Sequence, residues 1–242
     1  ISEAIQTKNS ETRILQRDDL FFSWDASGQV FGYNKQELQR KITENQLLLR
    51  TTLKESKVLF ITFGTAWGYC LKELGITVAN CHKQPQKEFE KSILSVYQLQ
   101  DTFKSIVSIL KSFNSNVSVV FSISPVRHLK DGFIENNQSK AHLIAALHSV
   151  INSTENTYYF PSYELLMDEL RDYRFYKEDM VHPNSIAINY IWEKFQFIWI
   201  DEKVNAIMHE VNQLQKGFAH KPFNPLSTEH TLFLSSLTKK AK

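Results

Sequence analysis

The sequence predicts an α/β fold organised around a parallel sheet, and three observations predict it. Short apolar runs at 57–63, 117–123 and 158–160 are too brief for helices and rich in β-branched and aromatic residues. Stretches with helical periodicity lie between them, the alternation that joins parallel strands by right-handed crossovers. Each run also ends at a breaker: Gly64 for the first, Ser124-Pro125 for the second and Pro161 for the third.

Taken in order, residues 1–33 are the least regular, with two short strands expected at 19–24 and 29–32 around Ala26-Ser27-Gly28. Asn34 is placed to cap a helix over 35–55, apolar at Leu38, Ile42, Leu48 and Leu49. The run at 57–63 is read as a buried strand. No element is assigned between it and Ser95. That serine caps a helix whose apolar positions are Val96, Leu99, Phe103, Ile106, Val107, Leu110 and Phe113. The strand at 117–123 is followed by a helix at 139–152, carried by Ala141, Ile144, Ala145, Leu147 and Ile151. Beyond the third strand come a short helix at 162–171, a loop with Asp179 and His182, and a helix over 184–199. A further helix is expected to 216, then a frayed basic tail at 239–242. With no repeat and no low-complexity linker, the chain reads as one domain, 1–242. Its parts are an irregular N-terminal segment (1–56), the α/β core (57–200), and a C-terminal helix and tail (201–242).

Composition narrows the function classes. Hydrophobic residues make up 42% and charged residues 22%, and 17 Phe, 9 Tyr and 4 Trp supply a sizeable core. A net charge of +2 with scattered lysines gives no basic patch of the kind nucleic acid requires. Cys70 and Cys81 offer neither a disulfide framework nor metal-type spacing. No apolar run approaches the roughly 18 residues of a membrane span. The chain opens Ile1-Ser-Glu-Ala-Ile-Gln with no Met and no signal segment, so the natural N-terminus is expected upstream and cytoplasm is the default compartment.

In a parallel sheet, ligands sit beyond the carboxyl ends of the strands, which names the working edge before any motif does. On that edge Asp179 precedes His182 by three residues, close enough for a carboxylate to orient a general-base imidazole. Gly64 can turn an N–H toward an oxyanion, or serve as a plain turn glycine. Asn80 is a candidate oxyanion donor, and His82 and Lys83 are candidate contacts for an anion or sugar hydroxyl; a solvated loop explains the same residues. Arg127 and His128 follow a strand end and point to substrate, with a structural salt bridge of Arg127 as the competing account. Tyr163 opens a charge-rich run to Arg174 that is either a binding wall or a solvated helix face. A metal site built from His82, His128, His182 and Asp179 lacks the paired spacing of zinc ligands. Ser124 and Ser162 stand at strand ends, but each adjoins a proline rather than a strand-to-helix elbow.

A set of motif blocks then carries a resemblance. Phe63-Gly-Thr-Ala-Trp67, Val78-Ala-Asn-Cys-His-Lys83, Ser124-Pro-Val-Arg-His128 and Asp131-Gly132 come first. Ser139-Lys-Ala141, Tyr159-Phe-Pro-Ser-Tyr-Glu164, 168–176 and Asp179-Met-Val-His-Pro183 follow in order. Together they resemble the GSCFA-domain family of bacterial proteins across residues 1–232. The resemblance implies a relationship to SGNH (GDSL-type) hydrolases, hence a three-layer α/β/α, flavodoxin-like sheet and hydrolysis of O-acyl esters, often acetyl groups on carbohydrate. A Ser-His-Asp set would do this without cofactor or metal. In this chain His182 would be the base and acid, Asp179 its orienter, and Gly64 with Asn80 the oxyanion side. His82, Lys83, Arg127, His128 and Tyr163 would meet a small-molecule or carbohydrate acyl ester.

Two departures qualify the implication. Ala66 stands where the SGNH pattern has an oxyanion asparagine. The Gly-Ser-Cys-Phe-Ala block with the nucleophile is absent, and no Gly-Ser dipeptide occurs. The N-terminal strands and the serine are therefore expected to be missing, and the chain inactive as it stands. The alternative is a non-catalytic carbohydrate-binding or interaction module that kept the crevice.

Overall fold

The structure, a computed structural model, describes residues 1–6 and 12–241. Part of the segment read as irregular (7–11) and the last residue of the tail, Lys242, lie outside the described residues. The chain divides into two compact units, Ile1–Ala187 and Ile188–Lys242, where the sequence reads as one domain.

The first unit opens with helix α1 (Ser2–Gln6) and strands β1 (Ile14–Arg17), β2 (Leu20–Ser23) and β3 (Phe31–Gly32), an antiparallel sheet in that order. Helix α2 (Lys35–Glu55) starts where expected, because the Asn34 side chain accepts from the Glu37 amide at 2.8 Å. Strand β4 (Val58–Phe63) follows. It is half-buried rather than buried: Leu59, Ile61 and Phe63 join the core, while Val58 and Phe60 on the opposite face are exposed. A continuous apolar run reads as two-sided burial, but in the sheet order β4-β8-β9 this strand has a neighbour on one side.

The stretch left unassigned by sequence holds an antiparallel sheet, ordered β6-β5-β7, of β5 (Trp67–Leu71), β6 (Ile76–Thr77) and β7 (Phe89–Ile93). Its strands are short, and in β7 only Phe89 is buried, so no alternation marks them. Helix α3 (Val96–Phe113) carries a full capping box, Ser95 with Gln98. Strand β8 (Ser118–Ile123), helix α4 (Phe133–Ile151) and strand β9 (Thr157–Phe160) complete the α/β core. Helix α4 begins at Phe133 rather than 139 because its first turn exposes Phe133 and Ile134 and so lacks the apolar stripe.

The sheet β4-β8-β9 is parallel, with Phe63 opposite Ile123 and Ser122 opposite Phe160. This is the α/β class the sequence predicts, and the parallel sheet fits an α/β/α arrangement. One face packs Ile61, Phe63, Val119 and Phe121 against Leu99, Phe103, Val107 and Leu147 of α3 and α4. Fully burying each such side chain contributes about 1.5–3 kcal/mol. A smaller core, with Leu15, Phe22, Trp24, Leu71, Val78 and Phe89, binds the two antiparallel sheets together.

Past β9 the chain forms a single turn, α5 (Ser162–Glu164), a π-helix over Leu165–Leu170 and a 3-10 turn at Tyr173–Phe175. Helix α6 (Ser185–Trp199) is capped by Asn184, whose side chain accepts from the Ile186 and Ala187 amides. The second unit contains α7 (Asn205–Ala219) and α8 (Thr228–Lys240). Of the tail read as frayed (239–242), Lys239 and Lys240 close α8 and Ala241 is a turn; Ser227 caps the helix, and Leu237 packs onto Gly217 of α7. Among the described residues no helix is long and apolar enough to cross a membrane.

Candidate active site

In-register pairing of β4, β8 and β9 brings their carboxyl ends level, so the loops after Phe63, Ile123 and Phe160 lie side by side. The Ser124 amide donates to the Phe63 carbonyl at 2.9 Å, and the Ser162 hydroxyl to the Ile123 carbonyl at 2.8 Å. The Asp179–His182 loop joins this edge through the Arg127 amide, which donates to the Val181 carbonyl at 3.3 Å. The loop also closes on itself: the Lys177 amide donates to the His182 carbonyl at 2.8 Å, and Tyr176 bridges Pro183.

Within the loop, Asp179 Oδ1 accepts from the amides of Val181 and His182, each at 2.9 Å. Its Oδ2 lies 2.7 Å from His182 Nδ1. The backbone amides of His182 and Val181, ahead of the imidazole bond, hold the Asp179 carboxyl down to about 2. Asp179 is thus an anion that fixes the ring, and the proton on Nδ1 leaves Nε2 as the basic nitrogen on the opposite side. Met180 takes a left-handed conformation, φ 57°, which lets the loop fold back within three residues.

The Gly64 loop is held by two neighbours on one helix of which the sequence reading assigned neither. Lys140 is buried at 2% exposure, and its Nζ donates to the carbonyls of Gly64 at 2.6 Å and Ser124 at 2.7 Å. Burial pushes the Lys140 amine down to about 8. The Ser139 hydroxyl, also buried, accepts from the Ala66 amide at 2.7 Å and meets Thr65 Oγ1 at 3.0 Å. Lys140 therefore clips two strand ends together, and Ser139 fixes the turn between β4 and β5. A signal for it exists in the sequence, since Lys140 shares the spacing of Leu143, Leu147 and Val150 on the apolar stripe of α4.

Of the residues expected at the site, the structure gathers Gly64, Arg127, His128, Tyr163, Asp179 and His182 around this edge. The His128 ring lies against Gly64, its Nε2 3.2 Å from where a Cβ would stand. Burial, then the nearby Lys140, lower the His128 pKa. Arg127 stacks on Tyr176 at 4.2 Å and on Tyr173 at 5.4 Å, so aromatic faces rather than a salt bridge hold it. The Tyr163 ring lies 5.8 Å from Lys140 Nζ.

Asn80, His82 and Lys83 are placed elsewhere, in the turn after β6. His82 is 2% exposed in the smaller core, 4.9 Å from Phe22 and 5.9 Å from Trp24, with Nε2 on the Ser23 carbonyl. Burial lowers its pKa. The Asn80 side-chain oxygen Oδ1 accepts from the His82 amide at 2.7 Å and so shapes the turn, in which His82 and Lys83 are both left-handed. Ser162 is buried and bonded to Ser122 Oγ at 2.6 Å, a stitch between β8 and β9 rather than an exposed nucleophile. Among the described residues no three His, Cys, Asp or Glu side chains gather as a metal cluster.

A family model described as "GSCFA family" matches residues 1–195, and one described as "GSCFA domain protein, C-terminal domain" matches residues 211–242. No curated protein matches the chain. Since the first match alone spans well over half of the 242 residues, the chain belongs to the GSCFA family.

Proposed function

We propose that Asp179 and His182 are the acid–base end of an SGNH-like ester hydrolase site on a flavodoxin-like frame. The observation that carries the reading is the 2.7 Å bond from His182 Nδ1 to an Asp179 carboxylate at the carboxyl edge of a parallel sheet. In this reading His182 Nε2 takes the proton of a serine hydroxyl as its oxygen bonds the acyl carbon of an O-acyl ester. The same proton passes to the departing alkoxide, and water then hydrolyses the acyl-enzyme by the reverse route. The Gly64 loop supplies backbone N–H groups to the oxyanion. The amides of Ala66 and Trp67 are already given to Ser139 and Thr65, which leaves Gly64 and Thr65 for that role. The nucleophile comes from the Gly-Ser-Cys-Phe-Ala block, which these 242 residues do not contain.

A second reading, a binding module that keeps the crevice without the chemistry, is favoured by Ser122 and Ser162 being tied to each other and to strand carbonyls. Fluorophosphonate labelling of the natural protein, with peptide mapping of the adduct, separates the two. One serine adduct that disappears in His182→Ala supports the hydrolase. A folded protein that stays unlabelled sinks it and leaves the binding module.

A further inference from the structure

Beside the Asp179–His182 loop lies an open cavity of about 130 Å³ lined by Arg127, Arg171, Tyr173 and Tyr176 together with Leu166 and Met167. It is a little smaller than the ~150 Å³ cavity that takes a benzene-sized group, so it has room for one small charged group rather than a whole substituted sugar. Two arginines face it, and neither makes an ion pair among the described residues. Asp172 also lines the cavity, but its Oδ1 accepts from the Arg174 amide and its Oδ2 lies 3.5 Å from Arg174 Nε. The excess charge of the cavity is therefore positive.

The backbone around it is unusual in a way that presents these groups. The π-helix over Leu165–Leu170 ends with the Arg171 amide on the Leu166 carbonyl at 3.1 Å, and Arg171 is left-handed at φ 42°. Such π turns and non-glycine left-handed residues cost energy and recur where a side chain must be aimed. Arg127 is fixed from the other side by stacking on Tyr176 and by its amide on the catalytic loop. A guanidinium seated over a ring keeps N–H donors to offer a planar or tetrahedral oxyanion.

We propose that this cavity is an anion subsite that takes the carboxylate or phosphate group of an acylated, negatively charged substrate. The inference rests on the reading of Asp179–His182 as the reacting centre, and it narrows that reading from O-acyl esters in general to those borne on an acidic sugar or sugar phosphate.

Binding tests it without requiring turnover. The 242-residue chain is titrated, by amide NMR at fixed ionic strength, with three ligands: O-acetyl methyl glucoside, O-acetyl methyl glucuronide and O-acetyl glucose 6-phosphate. At least one of the charged ligands should bind about tenfold tighter than the neutral one, the scale of a charge-assisted hydrogen bond. Which charged ligand gains names the source of the anion. Arg171→Asn, which tolerates the left-handed backbone, should remove most of the gain, and Arg127→Gln the remainder. Equal affinities for all three ligands, or a preference that survives both substitutions, overturn the subsite. His182→Ala should leave the preference intact. A retained preference on a protein that resists fluorophosphonate therefore discards the hydrolase reading alone.

Discussion

At Asp179 both carboxylate oxygens are committed, one to two backbone amides and the other to His182, and each bond prefers the charged form. Its pKa in the fold, about 2, lies below the ordinary 3.8. A depressed carboxyl stabilises the loop fully above the unfolded value and loses that contribution as pH falls through the folded one. The carboxyl carbon of Asp179 should therefore titrate by NMR near pH 2, and a midpoint near 3.8 would show that the pair is not formed in solution. Lys140 has a linkage of the same sign from the opposite cause, since burial disfavours its charged form. Its amine is lowered from 10.5 to about 8, so the unfolded chain binds the proton more tightly between those values. Stability relative to Lys140→Met should rise from pH 8 to 10.5 in urea unfolding, and a flat difference would mean that the amine is solvated. The contrast also explains what the sequence revealed. Asp179 and His182 stand three apart, so local spacing exposes the pair, whereas Lys140 and Gly64 are separated by 76 positions and meet only through the sheet. His82 shows the reverse error of inference, a polar residue in a polar-looking block that is buried between rings.

Helix α3, with a strong cap and a long buried stripe, was legible because both signals act within a few residues; α2 was legible by its Asn34 cap, while Leu48 and Leu49 of its expected stripe are exposed. The sheet β6-β5-β7 was not, since Gly68 and the polar run Glu90-Lys91-Ser92 erase the alternation and long-range pairing alone defines the strands. A junction between elements supplies the sharpest test of packing. Gly32 ends β3 just before Asn34 caps α2, and a Cβ there would stand 2.5 Å from the Leu38 amide nitrogen and 2.8 Å from the Asn34 carbonyl. Those neighbours are backbone and cannot rotate away, so the strand and the first turn of the helix must separate. Gly32→Ala should destabilise the protein by about 1–3 kcal/mol, the range for overpacking, in denaturant unfolding. Gly28→Ala serves as the control, because its Cβ would meet only the Asn80 side-chain amide at an ordinary 3.8 Å. Equal effects of the two substitutions would discard the argument.

For the whole molecule, the question is where the chain opens first, and exposure alone does not decide it. Phe133, Ile134 and Phe197 are as exposed as many loop residues, yet they sit in α4 and α6, where helical hydrogen bonds keep the backbone out of a protease cleft. Between α7 and α8 the segment 220–227 has neither helix nor strand, and it carries a fully exposed Phe223 and a Leu226 at 93%. Few bonds hold it beyond the Asn224 contacts to the Leu226 and Ser227 amides. Both cores described above lie within Ile1–Ala187, so losing α8 removes no residue from either. Brief chymotrypsin treatment should therefore cut first after Phe223 or Leu226, within the C-terminal family match at 211–242, and release α8. The larger fragment should keep its near-UV signal, because the buried aromatic clusters around Phe103 and Trp24 stay whole. A first cut inside α4 or α6, or a fragment that loses that signal, would show that the α/β core depends on the C-terminal hairpin and does not stand on its own sheet.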